Sequence, residues 1–170
     1  MNAFAKKTSL LSGLLIFSLV SFSQCDILNR VSPDGSMQYY MAPVNFYWTK
    51  VKSLSGCIVT DKESYFLELL PVPFPKEPAG RKLKDELELK LSNGTICKLE
   101  HFDTRYIQKD TVMEMMYLIS KQDIESLLTL EVSEARINMK GEEGTRNYVF
   151  KLHKAALKEQ LECFLKEEKK

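Results

Sequence analysis

The chain has 170 residues, of which 44% are hydrophobic and 28% are charged, and its 24 basic and 23 acidic side chains give a formal net charge of +1. This near-neutral balance does not provide the clustered basic surface that nucleic-acid binding requires. The length suits one globular domain.

The first 23 residues have the layout of an export signal. Lys6 and Lys7 form a positively charged start, and residues 10–20 form an apolar stretch too short to span a bilayer. Ser23 is a small residue at the expected cleavage point. Cleavage after Ser23 leaves 22 basic and 23 acidic side chains and no later membrane-spanning run. We therefore expect a mature protein that is periplasmic or extracellular.

The mature chain keeps four cysteines, Cys25, Cys57, Cys97 and Cys163. An even number in an oxidising compartment predicts disulfides, and the absence of C-x-x-C spacing argues against a zinc site. The sequence shows no metal-ligand cluster or cofactor-binding loop, so no metal or cofactor is expected. Three connectivities remain open from sequence. We predict Cys57 with Cys97 and Cys25 with Cys163. A lipid anchor on Cys25 is the alternative, although Gln24 stands where a lipoprotein signal has a small residue.

The first half of the mature chain predicts strands separated by loops. Residues 24–42 show turn chemistry without periodicity, which predicts an irregular N-terminal segment. The runs 57–60 and 65–70 are rich in strand-forming residues and read as a hairpin. The proline-rich stretch 71–80 predicts an irregular crossing loop, because proline cannot donate to a sheet.

The strand predicted over residues 44–49 carries the main candidate binding residues. Strict alternation places Phe46 and Trp48 on one face, assigned to the core, and Tyr47 on the other. Tyr47 and Tyr40 are then the candidates for an exposed platform that binds a sugar or a protein partner.

The clearest element is a hairpin around Asn93 and Gly94. A two-residue turn would mix leucines and charges on one face of the strand 86–91. A three-residue loop, Ser92–Gly94 with Gly94 in the left-handed conformation, keeps the leucines together and points Cys97 into the core. The pairs expected in that register are Leu91 with Thr95, Leu89 with Cys97 and Leu87 with Leu99.

The second half predicts a strand, a helix, two strands and a final helix. An irregular stretch over 103–110 precedes a strand over 112–119, and Ser120 and Asp123 predict a capped helix start. The remaining elements are strands at 132–140 and 147–152 and a helix at 153–168 with Leu157, Leu161, Phe164 and Leu165 inside. The order predicts one α+β domain over 43–168, with a mainly antiparallel sheet of six to seven strands, a short inserted helix and a C-terminal helix packed on the sheet.

Candidate catalytic groups are few. His101 and Asp103 could form a dyad, but no nucleophile motif accompanies them, so a structural histidine is preferred. Glu86 and Glu88 could suggest a glycosidase pair, but their alternation with leucines predicts the solvated face of a strand. His153 is expected at the surface near a helix start. No catalytic residue is assigned.

Several of these elements form a recognisable series. It comprises the turn Ser92–Thr95, the strand end Tyr117–Ser120, the helix start Asp123–Ile124, the strand segment Ala135–Ile137 and the final helix. This series resembles small exported proteins of unknown function that are abundant in Bacteroidota, over residues 65–164. Asp110-Thr111-Val112 is similar to the O-glycosylation motif of that phylum, which implies a glycan on Thr111.

These observations lead to an expectation about function. We expect a secreted or periplasmic module without enzymatic activity that binds a protein, a glycan or an envelope component. A small exported hydrolase and a lipid-anchored envelope protein are the alternatives, and a purely structural protein remains open.

Overall fold

The computed structural model describes residues 25–75, 86–106, 113–139 and 144–168. These ranges contain ten strands and two helices, where six to seven strands were predicted. In chain order the elements are β1 (Ile27–Val31), β2 (Met37–Met41), β3 (Val44–Trp48), β4 (Ser53–Thr60), β5 (Tyr65–Val72), β6 (Leu87–Leu91), β7 (Ile96–Tyr106), β8 (Met113–Ile119), α1 (Lys121–Thr129), β9 (Val132–Met139), β10 (Gly144–Val149) and α2 (Ala156–Glu167).

The strands form one antiparallel sheet in the order β1-β2-β4-β5-β8-β7-β6-β9-β10. β2 pairs with the last residues of β4, and β3 pairs with its first residues. The carbonyl of Phe46 in β3 accepts hydrogen bonds from the backbone N–H groups of Lys151 at 3.0 Å and Leu152 at 3.3 Å, just after β10. The sheet therefore curves until β10 approaches β3. The predicted antiparallel α+β fold is confirmed, with a larger sheet.

The prediction of an irregular segment over 24–42 is wrong, because β1 and β2 form a hairpin there. The turn chemistry lies at its tip, where Gly35 has a positive φ of 87°. The sequence of these two strands does not alternate between apolar and polar residues, because some of the side chains that point towards the protein interior are polar. Gln38 is buried and its cross-strand partner Arg30 is half-buried.

The predicted hairpin register of β6 and β7 is confirmed. Leu87 pairs with Leu99 and Leu89 with Cys97, and Gly94 has a φ of 89°. Because the apolar faces match only in this register, Cys97 is buried in the main core.

Two stretches predicted to be irregular extend strands instead. Pro71 lies within β5 opposite Leu54, and β8 pairs with β5 only as far as Leu69, so no second strand requires a donor from the proline. β7 continues to Tyr106, which corrects the prediction for 103–110 at residues 103–106. The remaining residues of that stretch, and residues 76–80, lie outside the described ranges.

Both helices follow their sequence signals. The Ser120 side chain accepts a hydrogen bond from the N–H of Asp123, completing the expected capping box of α1. α2 buries Leu157, Leu161 and Phe164 and packs against α1 and β4. It begins at Ala156, three residues later than predicted.

The sheet has a core on each face. The main core lies between the sheet and the helices and contains the leucines of β6. A second, smaller core lies on the opposite face of the sheet. We call it the outer core, and it is formed by Cys57, Val59, Phe66 and Met116 with Tyr40 and Leu118 packed against them.

Candidate functional site

The outer core contains two buried carboxylates. Glu68 projects from β5 and Glu114 from β8, and their exposed fractions are 2% and 1%. Burial of a carboxylate in an apolar environment is costly unless it is paired and hydrogen-bonded. The partners of these two groups therefore determine what the cluster can do.

Two arginines from the flanking strands provide the pairing. Arg30 of β1 binds Glu68 directly, and its Nη1 lies 3.4 Å from an oxygen of Glu114. Arg105 of β7 lies opposite Glu114 and places Nη1 2.8 Å from its other carboxylate oxygen. The same guanidinium also contacts Asp103 at 3.2 Å. We call Arg30, Glu68, Glu114 and Arg105 the charge network.

The charge network also joins the first hairpin to the far side of the outer core. Arg105 Nη2 donates to the Ser32 hydroxyl at 3.2 Å, and Arg30 Nε donates to the Gln38 side chain at 3.2 Å. The β1–β2 hairpin thus folds over the outer core and meets β7. The side chains of the charge network therefore cover the outer core.

Burial dominates the electrostatics of the cluster. It raises the pKa of Glu114 to about 7, with the charge of Glu68 adding to the effect and the two arginines opposing it. Burial alone would lower the pKa of Arg30, but the hydrogen bond and the charge of Glu68 outweigh it and raise that pKa. The Cys57 thiol lies 3.9 Å from Glu68, and burial raises its pKa far above the usual range.

A bulge in β7 explains why Asp103 and Arg105 reach this face. His101 pairs with Tyr117 of the main core, whereas Asp103 pairs with Met116 of the outer core, and the register shifts between them. The extra residue reverses the alternation of the strand. Phe102 therefore packs on Phe66, with ring centroids 4.6 Å apart.

The bulge also overturns the candidate dyad, because His101 and Asp103 lie on opposite faces. The His101 ring lies 2.7 Å from the Thr104 hydroxyl and packs edge-on against Tyr117, while Asp103 engages Arg105. The preferred prediction, a structural histidine, agrees with these contacts.

A cleft of about 250 Å³ opens beside the charge network. Asp34, Asp61 and Asp103 line it, and each carboxylate accepts hydrogen bonds from neighbouring backbone N–H groups. These contacts shape the turns that carry them, so they explain the aspartates without a ligand.

The second notable feature is the hairpin between β3 and β4, with the turn Thr49–Lys52. A bulge shifts the register between Asn45 and Tyr47, and Phe46 is buried against Phe150 with ring centroids 4.4 Å apart. The extra residue turns Trp48 outward, and its exposed fraction is 66%. The prediction that Trp48 belongs to the core is therefore wrong.

Exposed apolar side chains continue beside Trp48. Trp48 pairs with Ser53, which pairs with Val72 on its other side, so these three residues share the outer face. Val72 is 56% exposed, and Val51 at the turn is 82% exposed. The end of the sheet thus presents an apolar ridge.

The turn that carries Val51 is tightly closed. The Thr49 N–H donates to the carbonyl of Lys52 at 2.8 Å, and the Thr49 hydroxyl donates to the same oxygen at 2.9 Å. That hydroxyl also accepts from the Lys52 N–H at 3.0 Å. Lys50 and Val51 are therefore held at the tip by three hydrogen bonds.

Three lysines lie near the same turn, and the contacts of Lys52 and Lys151 place both on the Tyr47 side of the hairpin, opposite the face of Trp48. Lys50 and Lys151 are exposed, and Lys52 is half-buried with Nζ 4.1 Å from the Tyr148 ring centroid. Lys52 and Lys151 lie 5.8 and 5.5 Å from the Tyr47 ring centroid. Lys52 Nζ also donates to the carbonyl of Asn147 at 2.9 Å, which holds it against the protein. We call Trp48, Val51 and the two exposed lysines, Lys50 and Lys151, the hairpin surface.

The structure separates the two tyrosines of the predicted platform. Tyr40 packs on the outer core beneath Arg30, which lies 5.1 Å from its ring. Tyr47 is half-buried against the main core and lies below the hairpin surface. They form no common exposed platform.

One of the two predicted disulfides is confirmed. Cys25 and Cys163 are bonded, with Cα atoms 5.5 Å apart, which ties the start of the first hairpin to α2. The predicted pair Cys57–Cys97 is wrong, because both thiols are free and buried. They face different cores, with Cys57 in the outer one and Cys97 in the main one. Strand alternation alone does not reveal that the second face is also packed.

The other candidates have local explanations. Glu88 binds Arg136 at 3.0 Å and Glu86 lies 3.6 Å from Lys98, as expected for a solvated strand face. His153 is exposed. Thr111 and the signal region over residues 1–24 lie outside the described ranges. Within those ranges, no three metal-ligating side chains come together, and no helix is long and apolar enough to cross a membrane.

The fold and these two features define an antiparallel α+β protein. It has a charge network with two buried glutamates on one face of the sheet and an exposed tryptophan on the β3–β4 hairpin. Comparisons with protein-family models, curated proteins and solved structures find no match for the chain. The charge network has a signal in the sequence that strand alternation does not use. Glu68 and Glu114 are each the one charged residue of an otherwise apolar strand.

Proposed function

We propose that the mature protein is an exported, non-enzymatic binding module that attaches to cell-envelope material through the hairpin surface. The exposure of Trp48 and Val51 on a tightly closed turn carries this proposal. Large exposed apolar side chains grouped in one place mark interaction sites, and a rigid turn lowers the entropy lost on binding.

Export is supported by the Cys25–Cys163 bond, because disulfides persist mainly in oxidising compartments. The same bond favours a free protein over the lipid-anchored alternative. A sulfur atom that is paired in a disulfide cannot also carry the thioether of a lipid anchor.

The raised pKa of Glu114 is the observation that favours the hydrolase alternative, since perturbed carboxyl groups cluster at active sites. A general acid must come within hydrogen-bond distance of its substrate. Glu114 is 1% exposed and held by two arginines, so the charge network supports a role in closing the outer core.

Sedimentation with washed envelopes of a Bacteroidota bacterium tests the proposal. Wild-type protein is expected in the pellet, and Trp48→Ser and Val51→Ser are expected to move at least half of it to the supernatant. Ile96→Ser removes an equally apolar, 45% exposed side chain from a different hairpin and serves as the matched control. Wild-type protein that stays in the supernatant, or a Trp48→Ser variant that pellets normally, would contradict the proposal.

A further inference from the structure

We propose that the hairpin surface docks on an anionic lipid bilayer, with Trp48 and Val51 at the interface and Lys50 and Lys151 on headgroup phosphates. This inference rests on the proposed function and names its partner.

The apolar part suits the boundary between headgroups and acyl chains. Tryptophan is enriched at membrane–water interfaces because its ring is apolar and its indole N–H is polar. Trp48 ends β3, Val51 lies in the turn that follows it, and Val72 lies on the other side of Ser53 from Trp48; all three of these apolar side chains are exposed. A protruding tip can enter a soft interface without a preformed pocket.

The charged part supplies the preference for anionic lipid. The ion pairs formed within the described ranges involve neither Lys50 nor Lys151. Burial and then the nearby positive charge of Arg146 lower the pKa of Lys52, which indicates a locally positive environment. Basic side chains beside a membrane are attracted to anionic headgroups, and the attraction weakens with salt.

The shape of the surface favours a bilayer over a glycan. Sugar sites usually combine an aromatic ring with converging polar side chains in a concavity. Trp48 stands on a hairpin tip, and the neighbouring side chains on its face are Ser53 and Val72. Lys50 at the turn and Lys151 beside Tyr47 are exposed, and such long side chains can extend towards headgroups while their stems stay on the protein.

Trp48 is the one tryptophan of the chain, so its fluorescence reports this surface directly. We expect a blue shift with vesicles that contain phosphatidylglycerol and phosphatidylcholine, reversed by high salt. Vesicles of phosphatidylcholine alone and soluble glycerol phosphate should produce no shift. Brominated acyl chains should quench the shifted emission.

Variants separate the contributions. Lys50→Gln and Lys151→Gln should each weaken partitioning onto the anionic vesicles about fivefold. Val51→Ser should also weaken this partitioning while leaving Trp48 in place as the fluorescent probe. Lys121→Gln, an exposed lysine on α1, is the matched control and should bind as wild type.

Each other outcome overturns the inference. An unchanged emission with anionic vesicles excludes docking through Trp48, and equal shifts with both vesicle types exclude the role of charge. Binding to delipidated envelope glycan without binding to vesicles overturns the bilayer partner but leaves the proposed function standing. Failure to bind whole envelopes removes both.

Discussion

The pKa of Glu114 makes a quantitative prediction about stability. Burial and the charge of Glu68 raise it from 4.5 to about 7 in the folded protein. The folded state therefore holds a proton that the unfolded state has released between these two values. Stability from this group is complete below pH 4.5 and is lost as the pH rises towards 7. At 1.36 kcal/mol for each pKa unit, the loss is about 3 kcal/mol.

Glu114→Gln removes this titration while keeping the shape of the protonated side chain. Urea unfolding of both proteins across this pH range gives the difference between their free energies of unfolding, in which the titrating groups outside the charge network cancel. The wild type should lose about 3 kcal/mol relative to the variant as the pH rises from 4.5 to above 7. Glu125→Gln, which removes an exposed carboxyl on α1, is the control. Parallel stability curves for wild type and Glu114→Gln would refute the reasoning.

Three further predictions concern the cysteines and α2. Replacing Cys25 and Cys163 with serine should lower the free energy of unfolding by up to about 5 kcal/mol, because the bond closes a loop with a sequence separation of 138. Urea unfolding without reductant measures this difference. Cys57 and Cys97 should not react with a thiol reagent in the native protein and should give two equivalents in denaturant, whereas fast native reaction would contradict their burial. Gln160→Leu should lower the free energy of unfolding by about 1–3 kcal/mol, since it leaves the buried backbone N–H of Ile58 in β4 unpaired. A thermal unfolding midpoint equal to that of the wild type would contradict this.

Sequence patterns predicted the elements whose local rules agree with the packing. The β6–β7 hairpin is one case, because the apolar faces match in only one register and the left-handed Gly94 closes the three-residue loop of that register. The cap at Ser120 is another, since its hydrogen bonds involve residues three apart in the chain. Such features depend on near neighbours, so the sequence displays them directly.

The candidate surfaces were harder to predict because they depend on single extra residues. The β3 bulge sends Trp48 to the solvent, and the β7 bulge sends Asp103 away from His101. Strict alternation assigns both residues to the wrong face. Glu68 and Glu114 were recognisable as isolated charges, but their arginine partners come from β1 and β7, which only the three-dimensional fold brings to them.

The Cys25–Cys163 bond determines how the fold responds to proteolytic cleavage. It joins the residue just before β1 to the last helix, so the polypeptide between them forms a covalent ring. A single cut in any loop of that ring opens it without releasing a fragment. The strands on both sides of the cut stay in the same sheet, and their effective concentration for one another remains high. A nicked molecule can thus keep its hairpin surface in place, and only reduction of the bond together with the cut lets the pieces separate.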